Sequence, residues 1–169
     1  MGQRLMGARA ALGNVPLPPG QVVGLAADVL LARLRPAPLP GPRASGRAAG
    51  AVLLVAGCAI NLRSLAERRE REGGAFELEH PRRLVVTGPY AVSRNPMYAG
   101  WWLMHLGIGL LQGSVWSLFT TPAAALAEHR GVLAEERELS DLFGADFAAY
   151  TERVPRYFSL RRLPRKTRP

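Results

Sequence analysis

Three short clusters have the residue types and spacing to hold a small charged ligand. They are Thr87-Gly88-Pro89-Tyr90, Arg94-Asn95-Pro96-Met97-Tyr98, and the pair Glu135-Glu136 within HRGVLAEERELSDLFG. In the first, glycine frees the backbone and proline fixes φ, a turn signature. In the second, asparagine before proline marks a helix start, with Asn95 at the N-cap and Pro96 at the first helical position. A helix amino terminus presents unpaired N–H groups and partial positive charge, which suit a carboxylate. Arg94 stands beside it, and Tyr90 and Tyr98 add aromatic faces and hydroxyls. A carboxylate of the glutamate pair would meet an ammonium or sugar hydroxyls. Each cluster also has a plain structural reading: a capped helix with Arg94 at an interface, and a solvated charged face around Glu135–Glu138. Adjacent glutamates project about 100° apart on a helix, so the two do not serve one site equally.

Four apolar segments must position these groups. They run from about Val22 to Leu34, from about Ala48 to Leu62, from Met97 through MYAGWWLMHLGIGLLQ, and from Ser114 through SVWSLFTTPAAALA. A perpendicular bilayer span needs roughly 20 residues, and these cores are shorter unless flanking residues extend them. Asp28 and Arg33 make the first the weakest candidate. Only Gln112-Gly113 separates the third and fourth, which forces an antiparallel helical hairpin and returns His129 to the side of Arg94. Pro122 is expected to bend the fourth helix or mark an irregular start. ERREREGG, from Glu67 to Gly74, reads as a helix end projecting into water and stopped by two glycines. The proline-rich stretch from Arg35 to Arg43 reads as extended.

The net charge is +9, and arginine supplies 21 of the 22 basic residues, Lys166 being the one lysine. Nucleic-acid binding is one use of such charge, but the arginines cluster beside apolar runs as juxtamembrane charges do. The loop from Arg63 to Arg94 and the tail after His129 are both arginine-rich, and the hairpin puts them on one face. The positive-inside tendency makes that face cytoplasmic. The connection carrying Arg33, Arg35, Arg43 and Arg47 resists this assignment, since four full spans would leave it outside. Cys58 is the single cysteine, which excludes an intrachain disulfide and a cysteine-built metal site. His105 reads as a packed, hydrogen-bonded histidine, and His129 as better placed for chemistry.

S-adenosylmethionine matches the clusters: it carries a carboxylate, a sulfonium that aromatic rings stabilise, and an adenine to be enclosed. The ordered series TGPY, RNPMY with Gly100, then EE, FG, Tyr150 and RVPR resembles the isoprenylcysteine carboxyl methyltransferase and phospholipid methyltransferase superfamily, over roughly Arg82 to Tyr157. That resemblance implies an all-α, polytopic integral membrane protein. It would have three to four transmembrane helices, a carboxyl-terminal hairpin, and a cofactor-binding loop and tail at the cytoplasmic face of the cell's inner or plasma membrane. It implies one domain over 1–169: membrane helices and linker in 1–80, a cofactor-binding core in 81–158, and a basic tail in 159–169.

Carried across, the family pattern places cofactor contacts at Arg82, Arg83, Leu84, Val85, Tyr90, Arg94, Asn95, Pro96, Met97, Tyr98 and Glu135, with no metal and no assigned catalytic residue. Asn95 replaces the family's usual histidine; it can donate a hydrogen bond to a carboxylate but cannot be a cation. Gly131 stands where prenylcysteine enzymes have an arginine, so recognition of a substrate carboxylate is not expected. The partners implied are the bilayer and a lipid-like or small amphipathic methyl acceptor, not nucleic acid. Two alternatives stay open: an NADPH-dependent reductase resembling the membrane sterol reductases, and a non-enzymatic membrane protein whose basic tail binds anionic lipid.

Overall fold

The computed structural model describes residues 18–72 and 82–158. The basic tail from Arg161 and the glycines at 73 and 74 lie outside the described residues. Four helices form: α1 Pro19–Leu34, α2 Arg43–Glu72, α3 Pro96–Gln112 and α4 Ser117–Arg153, with a 3-10 turn at Gly88–Ala91. No strand ladder occurs among the described residues, only an isolated bridge between Pro38 and Ser114. The all-α expectation therefore holds.

The second apolar segment is longer than its hydrophobic core. Apolar stretch and ERRERE run form one continuous 30-residue helix. Among the described residues it is the one helix long and apolar enough to cross a membrane, over Arg43–Arg71. The charged run does not simply project into water. Glu67 is 3% exposed, receives Arg63 and Arg71 from its own helix, and accepts a 2.5 Å hydrogen bond from Thr87 Oγ1.

Glycines set how closely α3 lies along α2. A Cβ on Gly57 would sit 2.5 Å from the Gly100 carbonyl oxygen, and one on Gly50 2.7 Å from that of Gly107. The two contacts are seven residues apart on both helices, so they form one antiparallel, small-residue seam of the kind that lets membrane helices approach.

The link between α3 and α4 is four residues, Gly113–Trp116, rather than the two expected, because Gln112 belongs to α3; the hairpin still returns α4 beside α3. Gly113 ends α3 in the left-handed region at φ 72°, and its N–H caps Gly109 and Leu110. The proline-rich connection crosses beneath this turn, held by Leu39 N–H to Gly113 O and Val115 N–H to Ala37 O, both 2.9 Å. Trp116 Nε1 adds a 2.7 Å bond to Arg35 O. The departure from helical geometry in α4 falls not at Pro122 but at Gly144, with φ 49° and ψ −118°. Glycine alone tolerates that backbone without strain.

Along α1 and α4 apolar side chains face outward, while polar ones from α1, α3 and α4 are buried between the helices. Val22, Val23, Leu30, Phe119 and Leu126 are exposed, whereas Gln21, Asp28, His105, Thr120 and Glu128 are buried. Gln21 donates from its backbone and side-chain nitrogens to the two Glu128 carboxylate oxygens at 2.8 and 2.9 Å. Its own oxygen meets His105 Nδ1 at 2.8 Å, and His105 Nε2 meets Thr120 Oγ1 at 3.2 Å. His105 is thus the packed, hydrogen-bonded residue expected. A His105→Leu chain leaves Gln21 and Thr120 without that partner, which costs about 1–3 kcal/mol; a lowered unfolding temperature in detergent checks this.

Candidate functional site

The site lies where the loop before α3 meets the far half of α4. Val85 is buried, and Leu84 and Val86 pack on a small core of Phe147, Tyr150 and Val154. Gly88 then turns the chain at φ +58°, so close to Glu67 that a Cβ would lie 2.6 Å from its carboxylate. Glu67 therefore clamps the turn onto α2. Tyr90 is buried; its hydroxyl donates to Met97 Sδ at 3.3 Å, and its carbonyl accepts the Tyr150 hydroxyl at 2.6 Å. Burial raises the Tyr150 hydroxyl pKa well above the usual phenol range, so it remains a donor.

Asn95 occupies the N-cap position of α3, but its side chain makes no capping bond. The amide turns instead to Glu136 Oε1 at 3.1 Å and to the Arg156 carbonyl at 3.3 Å. Glu136 is the hub. Arg94 Nε approaches its Oε1 at 3.2 Å and Arg156 NH2 its Oε2 at 2.9 Å, while Arg156 Nε donates to Oε2 at 3.0 Å. The bond to Glu136 pushes the Arg156 guanidinium pKa up, which keeps it charged. The strand-like exit after α4 completes the clasp, since Arg94 N–H binds Pro155 O at 2.9 Å and Asn95 N–H binds Arg156 O at 3.1 Å.

Glu135 points elsewhere. It is exposed and accepts a 2.6 Å hydrogen bond from the Tyr98 hydroxyl. Lost solvation raises its carboxyl above the ordinary value, with the Tyr98 hydroxyl and Arg68 pulling it down; its open flank limits the rise. One turn along from Tyr98, Trp102 packs on Tyr157 at 4.6 Å between ring centroids with the rings tilted by 57°, and the Tyr157 hydroxyl lies 3.0 Å from His129 Nδ1. Trp102 Nε1 is buried without a hydrogen-bond partner.

Of the residues the resemblance carried over, the structure brings Tyr90, Arg94, Asn95, Pro96, Met97, Tyr98 and Glu135 to one end of the hairpin. Val85 is buried among the packing that seats the loop, Leu84 is half-buried, and Arg82 and Arg83 are exposed ahead of it. Sequence reasoning left Glu67, Trp102, Glu136, Arg156 and Tyr157 out of the site. Arg156 had a signal, since it closes the RVPR series, and Tyr157 follows it directly. Glu67 had none, because a charged run at a helix end reads as solvated.

Fold and site define a helical protein with exposed apolar side chains on α1, α2 and α4 and a polar, aromatic-walled site at one end. Compared with known families, residues 46–146 match phospholipid methyltransferase, and the chain belongs to that family. The match begins within α2, so the likeness reaches further toward the amino terminus than Arg82. No curated protein and no solved structure matched the chain. Membership makes the chain a methyltransferase of a membrane-associated family whose acceptors are lipid-like, and favours that reading over the reductase.

Proposed function

We propose that this protein transfers a methyl group from S-adenosylmethionine to an amphipathic, lipid-like acceptor at a membrane surface. The observation that carries the proposal is the meeting, across one tight hairpin, of Tyr98 with Glu135 and of Arg94 and Asn95 with Glu136. The chemistry of the donors fits the group: an open carboxylate at Glu135, cations at Arg82 and Arg83, aromatic rings at Tyr98, Trp102 and Tyr157, and the unpartnered Trp102 N–H. Glu135 would take the ammonium or ribose hydroxyls, and Arg82 or Arg83 the carboxylate.

S-adenosylmethionine supplies an electrophilic methyl on sulfur for in-line displacement by an O, N or S nucleophile. The protein's own share is alignment and exclusion of water, which together lower such barriers substantially. The Glu136 hub holds the loop and α4 in register, Tyr98 orients Glu135, and Tyr150 pins the Tyr90 backbone. No step requires a protein base. The inverted distribution of apolar and polar side chains supports a bilayer setting, since exposed patches of this extent otherwise mark interaction surfaces. We place α2 across the bilayer, with α1, α3 and the first half of α4 inserted beside it and the site, on the far half of α4, at the cytoplasmic face.

Two measurements test this. S-adenosylhomocysteine binds the purified protein and NADPH does not; binding of NADPH alone would overturn the proposal. Glu135→Ala weakens S-adenosylhomocysteine by at least about tenfold, the scale of a lost charged hydrogen bond of 1.5–3 kcal/mol. Labelled methyl transfer into a membrane extract then identifies the acceptor.

A further inference from the structure

The end of the molecule opposite the site carries a second group of arginines, the same group that resisted the charge-based orientation. Arg33, Arg35, Arg43 and Arg47 are all exposed, and no carboxylate pairs with them among the described residues. Arg43 and Arg47 are one turn apart on the same face of α2, where like charges repel. They border a cavity of about 430 Å³ whose other walls include Pro38, Pro40, Leu110 and Leu111. No acidic residue lines it. Its walls are braced, since the connection is bonded to the α3–α4 turn on both sides of the Pro38–Ser114 bridge.

Position along α2 says what a ligand there would be. Arg47 stands 20 residues before Glu67, which holds the site's loop; at 1.5 Å per residue that is about 30 Å, the thickness of a bilayer's hydrocarbon core. With α2 spanning as proposed above, this cavity lies at the headgroup level of the opposite leaflet. We propose that it binds the phosphodiester of an anionic membrane phospholipid. Guanidinium groups match phosphate oxygens bidentately, and the proline and leucine walls would receive the start of the acyl region. A bound lipid phosphate would also offset the positive charge at this end of the molecule.

The full-length protein in uncharged detergent tests this by native mass spectrometry, counting bound phosphatidylglycerol and phosphatidylcholine. Phosphatidylglycerol is retained selectively, and Arg43→Gln/Arg47→Gln weakens that retention at least tenfold while Arg137→Gln, on α4, leaves it unchanged. Arg47→Gln alone gives a smaller loss in the same direction, which serves if the double variant folds poorly. Equal retention of the two lipids, an unchanged double variant, or an equal loss in Arg137→Gln would overturn the site. Displacement by inorganic phosphate at matching concentration would assign it to free phosphate and defeat the lipid reading. Carbonate washing of membranes checks the span separately: release of the wild-type chain removes the basis of the proposal, whatever lipid is retained.

Discussion

Glu136→Ala abolishes methyl transfer and destabilises the protein, although Glu136 is not the glutamate expected to touch the cofactor. Its carboxylate is the one acceptor joining Arg94, Asn95 and Arg156. Removing it leaves a largely buried guanidinium at Arg94, 11% exposed at the side chain, facing a second at Arg156, 34% exposed. Breaking a buried pair by deleting one partner costs about 3–5 kcal/mol. The partial exposure of Arg156 puts this case near the lower bound. The loop bearing Tyr90 and the start of α3 would then lose register with α4, and S-adenosylhomocysteine affinity would fall with activity. Glu135→Ala, in contrast, leaves the unfolding temperature within a degree or two and weakens ligand binding alone. Equal stability of the two variants would contradict this division of roles.

The second large effect is expected far from the site. Gly57→Leu drives a side chain into the α3 backbone, because even a Cβ would stand 2.5 Å from Gly100 O and 2.9 Å from Met104 N. Backbone atoms cannot swing aside as a flexible side chain does, so α3 must separate from α2. Overpacking of ordinary cores costs about 1–3 kcal/mol, and a leucine against backbone exceeds that range. The expected outcome is a chain that is made but not recovered folded from detergent, as judged by size-exclusion profile and thermal unfolding. Gly131→Ala is the control: nothing lies within 4 Å of its Cβ, and helical propensity favours alanine by about 1 kcal/mol. A Gly57→Leu chain as stable as wild type would show that the glycine seam does not hold the helices together.

Much of the architecture was legible because it rests on local rules. The two-residue break after Leu111 permits little besides an antiparallel hairpin, and Asn95-Pro96 starts α3 where expected. Periodicity could not say that the arginine- and glutamate-rich run from Glu67 continues the apolar helix and buries a carboxylate. That outcome depends on Thr87, 20 residues away in sequence. The N-cap expectation was right in position and wrong in contact, because the Asn95 amide is oriented by the bonds its Nδ2 donates to Glu136 and to the Arg156 carbonyl.

The sequence by itself determined the family, the helical class, and that the glutamate pair would divide its work, since a 100° step is a property of any α-helix. Only the tertiary structure decided how: Glu136 inward to Arg94 and Arg156, Glu135 outward to Tyr98. The rotation of α4 about its axis is set by packing against α1 and α3, where Gln21 seizes Glu128 two turns earlier. Such long-range choices are made by a few buried polar contacts between distant segments, and no local pattern encodes them.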